Sequence, residues 1–314
     1  DCHVHIRGAI RNLGKPVKRG FLIAATPKGQ SPHPQLKATA SGRQALSDWL
    51  THSGNPLTTR VYVNRLWHHV FGQGLVRTVD NFGRTGETPS HPELLDYLAS
   101  EFQTTGAWST KRLVRNLVIS KAFLLGSNYG SESGDPENRL LARAQSRALS
   151  AESLRDALLA HADQLDLSMG GQLLKDKPGA YVNRSSLNDY LENPRRAVYM
   201  PIVRSALYDA FVAFDMADPS APNGDRRDSV VAPQALYMMN SELVHQAADR
   251  IAGTRPNSSD AGVINHFYRK LLNRQATPNE HRQATLFLES YAEDDAWSAF
   301  VRVILASNEF LYLD

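Results

Sequence analysis

Thr58-Thr-Arg-Val-Tyr-Val-Asn-Arg-Leu-Trp-His-His-Val-Phe71, closed by Gly72, decides the class of fold. Val63, Leu66, Trp67, Val70 and Phe71 recur three and four apart, which gathers them on one face of an α-helix. Glycine ends such a helix at little steric cost because it accepts left-handed backbone. The same reading extends outward. Gln44-Ala-Leu-Ser-Asp-Trp-Leu50 follows Ser41, a residue type suited to a helix N-cap. Further helical spacing predicts helices at about 136–147, 151–165, 206–215, 233–252 and 260–273. The expected fold is mainly α: a multi-helical domain over residues 41–314, preceded by an extended segment, 1–40. In that segment His3-Val-His-Ile6 alternates as a strand does, and Pro and Gly interrupt the rest. Arg196-Ala-Val-Tyr-Met200 is expected as a short strand ending at Pro201.

Two regions open with the same device. Ser90-His-Pro-Glu93 and Thr277-Pro-Asn-Glu280 have the form of capping boxes, in which hydroxyl and carboxylate each satisfy an orphan amide. Ala-Trp-Ser follows each, at 107–109 and 296–298. Beyond it, Val114-Arg115, Ser120 and Phe123-Leu124 match Val301-Arg302, Ser307 and Phe310-Leu311 at identical spacing. The pattern reads as an internal duplication of a helix-turn-helix unit.

The chain has 314 residues, 42% of them hydrophobic and 21% charged, with a net charge of +3. That length supports a substantial core, which excludes a disordered chain and a disulfide mini-scaffold. The single cysteine, Cys2, excludes an intrachain disulfide, a CxxC zinc site and a CxxCH haem attachment. No apolar run approaches the roughly 18 residues of a membrane helix. The charge is unevenly placed: residues 1–79 carry +9 and the remainder −6. Such a segment can dock on nucleic acid, on an anionic polymer, or on acidic parts of its own chain. No nucleic-acid-binding signature accompanies it, which disfavours the first. The chain opens at Asp1 rather than methionine, so its natural beginning, with any export signal, is expected to lie outside it.

The residues that could carry chemistry cluster between the 58–71 helix and the Gly-rich loop that follows. Asn64 and His68 stand four apart on what the pattern makes the polar side of that helix, beside Arg65. With Arg84 and His91 they form the candidate binding cluster, able to hold an anion or move a proton. A zinc pair at His68 and His69 fails, because helical neighbours point about 100° apart. Asn81-Phe-Gly-Arg-Thr-Gly86 lacks phosphate-loop spacing. Cys2, His3 and His5 are metal-competent types, and Asp215, Asp218, Asp225 and Asp228 are oxygen donors, but neither group has a metal-site pattern. The acidic loop, which includes Arg226 and Arg227, is expected to be internally salt-bridged. Leu154, Leu158, His161 and Leu165 define the buried face of the 151–165 helix, with His161 as a core histidine. No nucleophile elbow is present, and no catalytic residue is assigned.

Asn55-Pro-Leu-Thr-Thr-Arg-Val-Tyr-Val-Asn-Arg-Leu-Trp67, Phe71-Gly-Gln-Gly-Leu-Val76, Asn81-Phe-Gly-Arg84 and Pro89-Ser-His-Pro-Glu-Leu-Leu-Asp96 resemble the planctomycete cytochrome-c-associated C-terminal domain, a family without an established biochemical function. Glu152-Ser-Leu-Arg-Asp-Ala-Leu-Leu159, Met169-Gly-Gly171, Arg195-Arg196, Phe214-Asp215, Ala232-Pro-Gln-Ala-Leu236, Asn240-Ser241 and Ser307-Asn-Glu-Phe-Leu311 extend the resemblance over nearly the whole chain. Lys121-Ala-Phe123 departs mildly from it. The resemblance implies an extracytoplasmic setting, periplasmic or at the cell surface. It implies partners in an upstream domain of the same polypeptide and a c-type cytochrome module. Any haem would then sit on that module, with no cofactor in this chain. It supplies no catalytic residues.

Three functions follow. The first is a non-catalytic interaction module on a cytochrome-bearing chain, serving electron transfer or attachment to a cell-surface polysaccharide. The second is a polysaccharide-acting enzyme with its site between the 58–71 helix and the loop to His91. The third is nucleic-acid binding through the basic first quarter.

Overall fold

A computed structural model describes residues 2–36, 40–127, 134–171, 173, 193–204, 207–226, 229–291 and 295–313. The fold is mainly α, with two small antiparallel sheets among the described residues. Contacts divide the chain into two units, residues 1–145 and 146–314.

In the first unit, β1 (Cys2–His5) pairs with β2 (Leu13–Val17), with Cys2 opposite Val17 and His5 opposite Leu13. Helix α1 (Arg43–Thr51) follows, its N-cap at Gly42 rather than Ser41. Asn55 then prepares the next helix. Its side-chain oxygen accepts from the amides of Leu57 and Thr58 at 3.0 and 3.3 Å, relieving two orphan donors. Helix α2 (Thr58–Phe71) has the bounds its apolar spacing predicts and ends at Gly72, in the left-handed region at φ 85°. Helices α3 (Pro92–Gln103) and α4 (Thr110–Val118) complete the unit's core. Val63 and Trp67 of α2 pack there with Leu95, Leu98 and Phe102 of α3 and Leu113 and Leu117 of α4. Each such side chain contributes roughly 1.5–3 kcal/mol by leaving water. An Arg60–Asp96 ion pair of 2.7 Å joins α2 to α3 at the surface and holds the Asp96 carboxyl below its usual range.

In the second unit, β3 (Arg147–Ala148) pairs with β4 (Tyr312–Leu313). Helix α5 (Ala151–His161) is capped by Ser150, whose hydroxyl accepts from the Ser153 amide at 3.2 Å. After the short α6 (Asp209–Ala213) come α7 (Ala232–Asn240), α8 (Glu242–Gly253), α9 (Asp260–Leu272), α10 (Pro278–Ser290), α11 (Ala296–Leu305) and α12 (Asn308–Leu311). The core joins Leu154 and Leu158 of α5, Ala247, Ala248 and Ile251 of α8, Ile264 and Phe267 of α9, and Val301 and Leu305 of α11. The alanines of α8 bring its backbone close to its neighbours.

Four expectations are corrected. In place of a helix over 136–147 the chain makes turns and irregular backbone that end in β3, because the Asp135 carboxylate accepts from the amides of Arg139 and Leu140 (2.9 and 2.7 Å) while Asn138 bonds both backbone groups of Arg143. Such side-chain bonds compete with the helical ladder. The single helix expected at 233–252 is two, broken where Ser241 is extended. Ala197–Tyr199 is one turn of 3-10 helix rather than a strand. Ser90 does not cap α3: His91 holds the N-cap position, without a side-chain cap bond.

Candidate functional site

The candidate cluster begins with Asn64, on α2. It is 0% exposed, which corrects its placement on the polar side of the helix. The loop after Gly72 folds back over it. Asn64 donates from Nδ2 to the Val76 carbonyl (2.9 Å) and accepts the Val76 amide on Oδ1 (2.8 Å), as a neighbouring strand would. Gly74 makes this approach feasible. A Cβ there would lie 2.4 Å from the Val76 oxygen and 2.9 Å from Asn64 Nδ2. Next along the loop, the Ser90 amide donates to the Leu75 carbonyl at 2.8 Å, and Ser90 Oγ lies 3.0 Å from His91 Nδ1. One run of hydrogen bonds thus joins Asn64, Leu75, Val76, Ser90 and His91.

The other candidates stand apart from that run. Arg65 reaches Asp80 at 3.2 Å, and both are about half exposed. His68 is half-buried with its ring edge-on to His69, the centroids 5.4 Å apart. Arg84 is exposed and makes no hydrogen bond or ion pair among the described residues. Its loop is closed by its own side chains. Thr78 Oγ1 donates to the Asn81 carbonyl and accepts the Glu87 amide, and Asn81 accepts the Gly83 amide and donates to Thr85. Phe82 packs against the core.

A second polar network, built on Arg155 and Asp156, lies in the second unit. The Arg155 guanidinium is 4% exposed. It donates to the Arg195 carbonyl at 2.8 Å and to the Asn193 carbonyl, and stands 3.4 Å from Asp156. Asp156 accepts the Ala197 amide at 2.7 Å. Adjacent side chains of α5 therefore fasten residues 193–197. Burial pulls the pKa of Arg155 down from its ordinary value, and the Asp156 charge pulls it back. Arg195 in turn donates to the carbonyls of Ser168 and Gly170 (2.9 and 2.6 Å), and its guanidinium lies 4.1 Å above the Tyr199 ring. The Gly170 amide donates to the Tyr199 hydroxyl at 3.1 Å. The signal in the sequence is Arg155 itself, a charged residue beside Leu154 and Leu158 on an inward helix face.

Elsewhere the donors are engaged locally. His3 Nδ1 bonds the Gly14 carbonyl at 2.8 Å. Asp215 accepts the Ser229 amide and hydroxyl, and Asp218 accepts the Ser220 amide. Arg226 forms a bidentate pair with Glu152 of α5 (2.7 and 2.9 Å), which ties the loop to that helix. Arg227 and Asp228 lie outside the described residues. Among the described residues, no three His, Cys, Asp or Glu side chains gather where a metal ion could be held. His161 is half-buried at the end of α5, 5.8 Å from the Phe310 ring, and burial pulls its pKa down. Leu165 lies beyond the helix.

Two polar networks that fasten loops to helices define an α-helical domain whose conspicuous polar residues bond its own backbone. Residues 42–288 match the family described as PSD1, Protein of unknown function (DUF1553), and the chain belongs to that family. No curated protein and no solved structure matches it. No helix among the described residues is long and apolar enough to cross a membrane.

Proposed function

We propose that this domain is a non-catalytic interaction module, working outside the cytoplasm on a polypeptide that also carries a c-type cytochrome. The observation that supports this most is the use of its buried polar side chains. Asn64, Arg155 and Asp156 each bond backbone groups of a loop, so they are satisfied within the fold instead of being presented to a substrate. A catalytic centre keeps at least one poised group in reach of a bound molecule. On this reading the haem belongs to the cytochrome module, this chain binds no cofactor, and the partner is the neighbouring domain or a cell-surface polysaccharide.

The test pairs binding with turnover. Calorimetric titration of the chain with the cytochrome module of its own polypeptide is expected to saturate, and a panel of chromogenic glycosides is expected to remain uncleaved. Absence of heat, together with glycoside cleavage that falls in His68→Ala and His91→Ala, would replace this reading with the polysaccharide-acting enzyme.

A further inference from the structure

The basic first quarter divides into two populations. On and after α2, Arg60, Arg65 and Arg77 each face a carboxylate: Asp96, Asp80 and Glu137. From Cys2 to Ser47 the sequence holds no Asp or Glu at all. There the side chains of Arg7, Arg11, Lys15, Lys18 and Lys28 make no hydrogen bond or ion pair among the described residues. Exposed apolar side chains stand among them. In the β1–β2 hairpin Ile10 is 81% exposed and Leu13 53%, with Ile6, Val4 and Val17 also in water. Leu22 and Ile23, 65% and 79% exposed, repeat the pattern between Lys18 and Lys28.

Three backbone hydrogen bonds close the tip of the hairpin. The Ile6 amide donates to the Asn12 carbonyl at 2.9 Å, Ala9 to Ile6 at 3.1 Å, and Asn12 to Ala9 at 3.1 Å. Arg7 and Gly8 make the turn at positive φ, 55° and 74°. Ile10 at its end is flanked in sequence by Arg7 and Arg11. Long arginine side chains can stay at the headgroups while an apolar neighbour sinks.

We propose that the β1–β2 hairpin is a peripheral docking element for an anionic lipid surface, with Ile10 inserted at the acyl boundary and Arg7, Arg11 and Lys15 against lipid phosphates. A soluble polyanion would use the cations and leave Ile10 in water. A bilayer uses both, since it offers negative surface potential and an apolar interior together. This inference stands apart from the proposed cytochrome partner, because it uses neither α2 nor the second unit.

The experiment is co-sedimentation of the whole chain with phosphatidylcholine vesicles, either pure or carrying about 30% phosphatidylglycerol. Binding to the anionic vesicles is expected, weakening as salt rises from about 50 to about 200 mM. Each cation at such a surface accounts for about fivefold in affinity. The Arg7→Glu/Arg11→Glu double variant should therefore lose at least about twenty-fold, and Ile10→Asp about tenfold. Ile10 lies in the open, so these variants leave the helical core untouched. An environment-sensitive fluorophore on Ile10→Cys, with Cys2→Ser, should shift to the blue on anionic vesicles. The same label on Arg84→Cys should not. Failure to sediment, or Ile10→Asp binding as tightly as the parent, overturns the proposal. So does preferential uptake of duplex DNA that is indifferent to Ile10→Asp.

Discussion

Helix α3 ends at Gln103 and α10 at Ser290, α4 at Val118 and α11 at Leu305, so both pairs of ends lie 187 residues apart. The chain leaves α4 and α11 in the same way. Ile119 and Ala306 share backbone angles near φ −90°, ψ 0°, and each donates to two carbonyls of the helix just finished. Ser120 Oγ donates to the Leu117 carbonyl at 2.6 Å, and Ser307 Oγ to the Ile304 carbonyl at 2.7 Å. The two starts differ. Thr277 forms the capping box with Glu280, while the amide and hydroxyl of Ser90 are taken by Leu75 and His91. Ala296-Trp-Ser forms the first turn of α11, but Ala107 and Trp108 adopt positive φ, 47° and 61°, before α4 begins. A helix end closed by its own residues repeats with the sequence. One reached by a neighbouring loop does not.

The largest test concerns the shared core. Leu117 and Ile304 occupy equivalent positions and are both buried, so Leu117→Ala and Ile304→Ala should each cost about 3 kcal/mol in urea unfolding. A cost below about 1 kcal/mol at one of them would break the structural equivalence.

Next come the two starts. Thr277→Ala should cost about 1 kcal/mol, whereas Ser90→Ala should stay within about 0.5, since only the former removes a formed cap. The Thr277 box also has an ionic component. Hydrogen bonds from Arg274 bring the Glu280 carboxyl to about 2, from 4.5. A carboxyl lowered on folding stabilises the native state above its unfolded pKa. This contribution is therefore lost as pH falls from about 4.5 toward 2, and the urea midpoint should drop in that window. Arg274→Gln should flatten the drop, and an unchanged profile would show that the pair does not stabilise α10.

The smallest test turns on sign. Ala107→Gly should stabilise the first unit by roughly 0.5–1 kcal/mol, because glycine relieves left-handed backbone. Ala296→Gly, in a helical first turn, should destabilise the second by about 0.5 kcal/mol. Equal signs would mean that the two Ala-Trp-Ser segments are not used differently.

Much of the architecture was legible. The α2 stripe and its closing Gly72 gave both bounds of that helix, and Thr277, Pro278 and Glu280 announced α10. The residues misread are those whose short polar side chains bond nearby backbone: Asp135 and Asn138 undo a helix that apolar spacing predicted. For the candidate cluster the sequence placed Asn64, Arg65 and His68 on one helix. It did not foresee that Val76, twelve residues beyond Asn64, would cover it.

The sequence by itself determined which stretches become helices and where most of them stop, because periodicity, caps and glycine act within a few residues. Only the tertiary structure decided which polar groups are buried and what they hold. Asn64 on Val76 and Arg155 on Asn193 and Arg195 are bonds between segments 12 to 40 residues apart. Such bonds form because a packed loop displaces water from a side chain that must then find a partner.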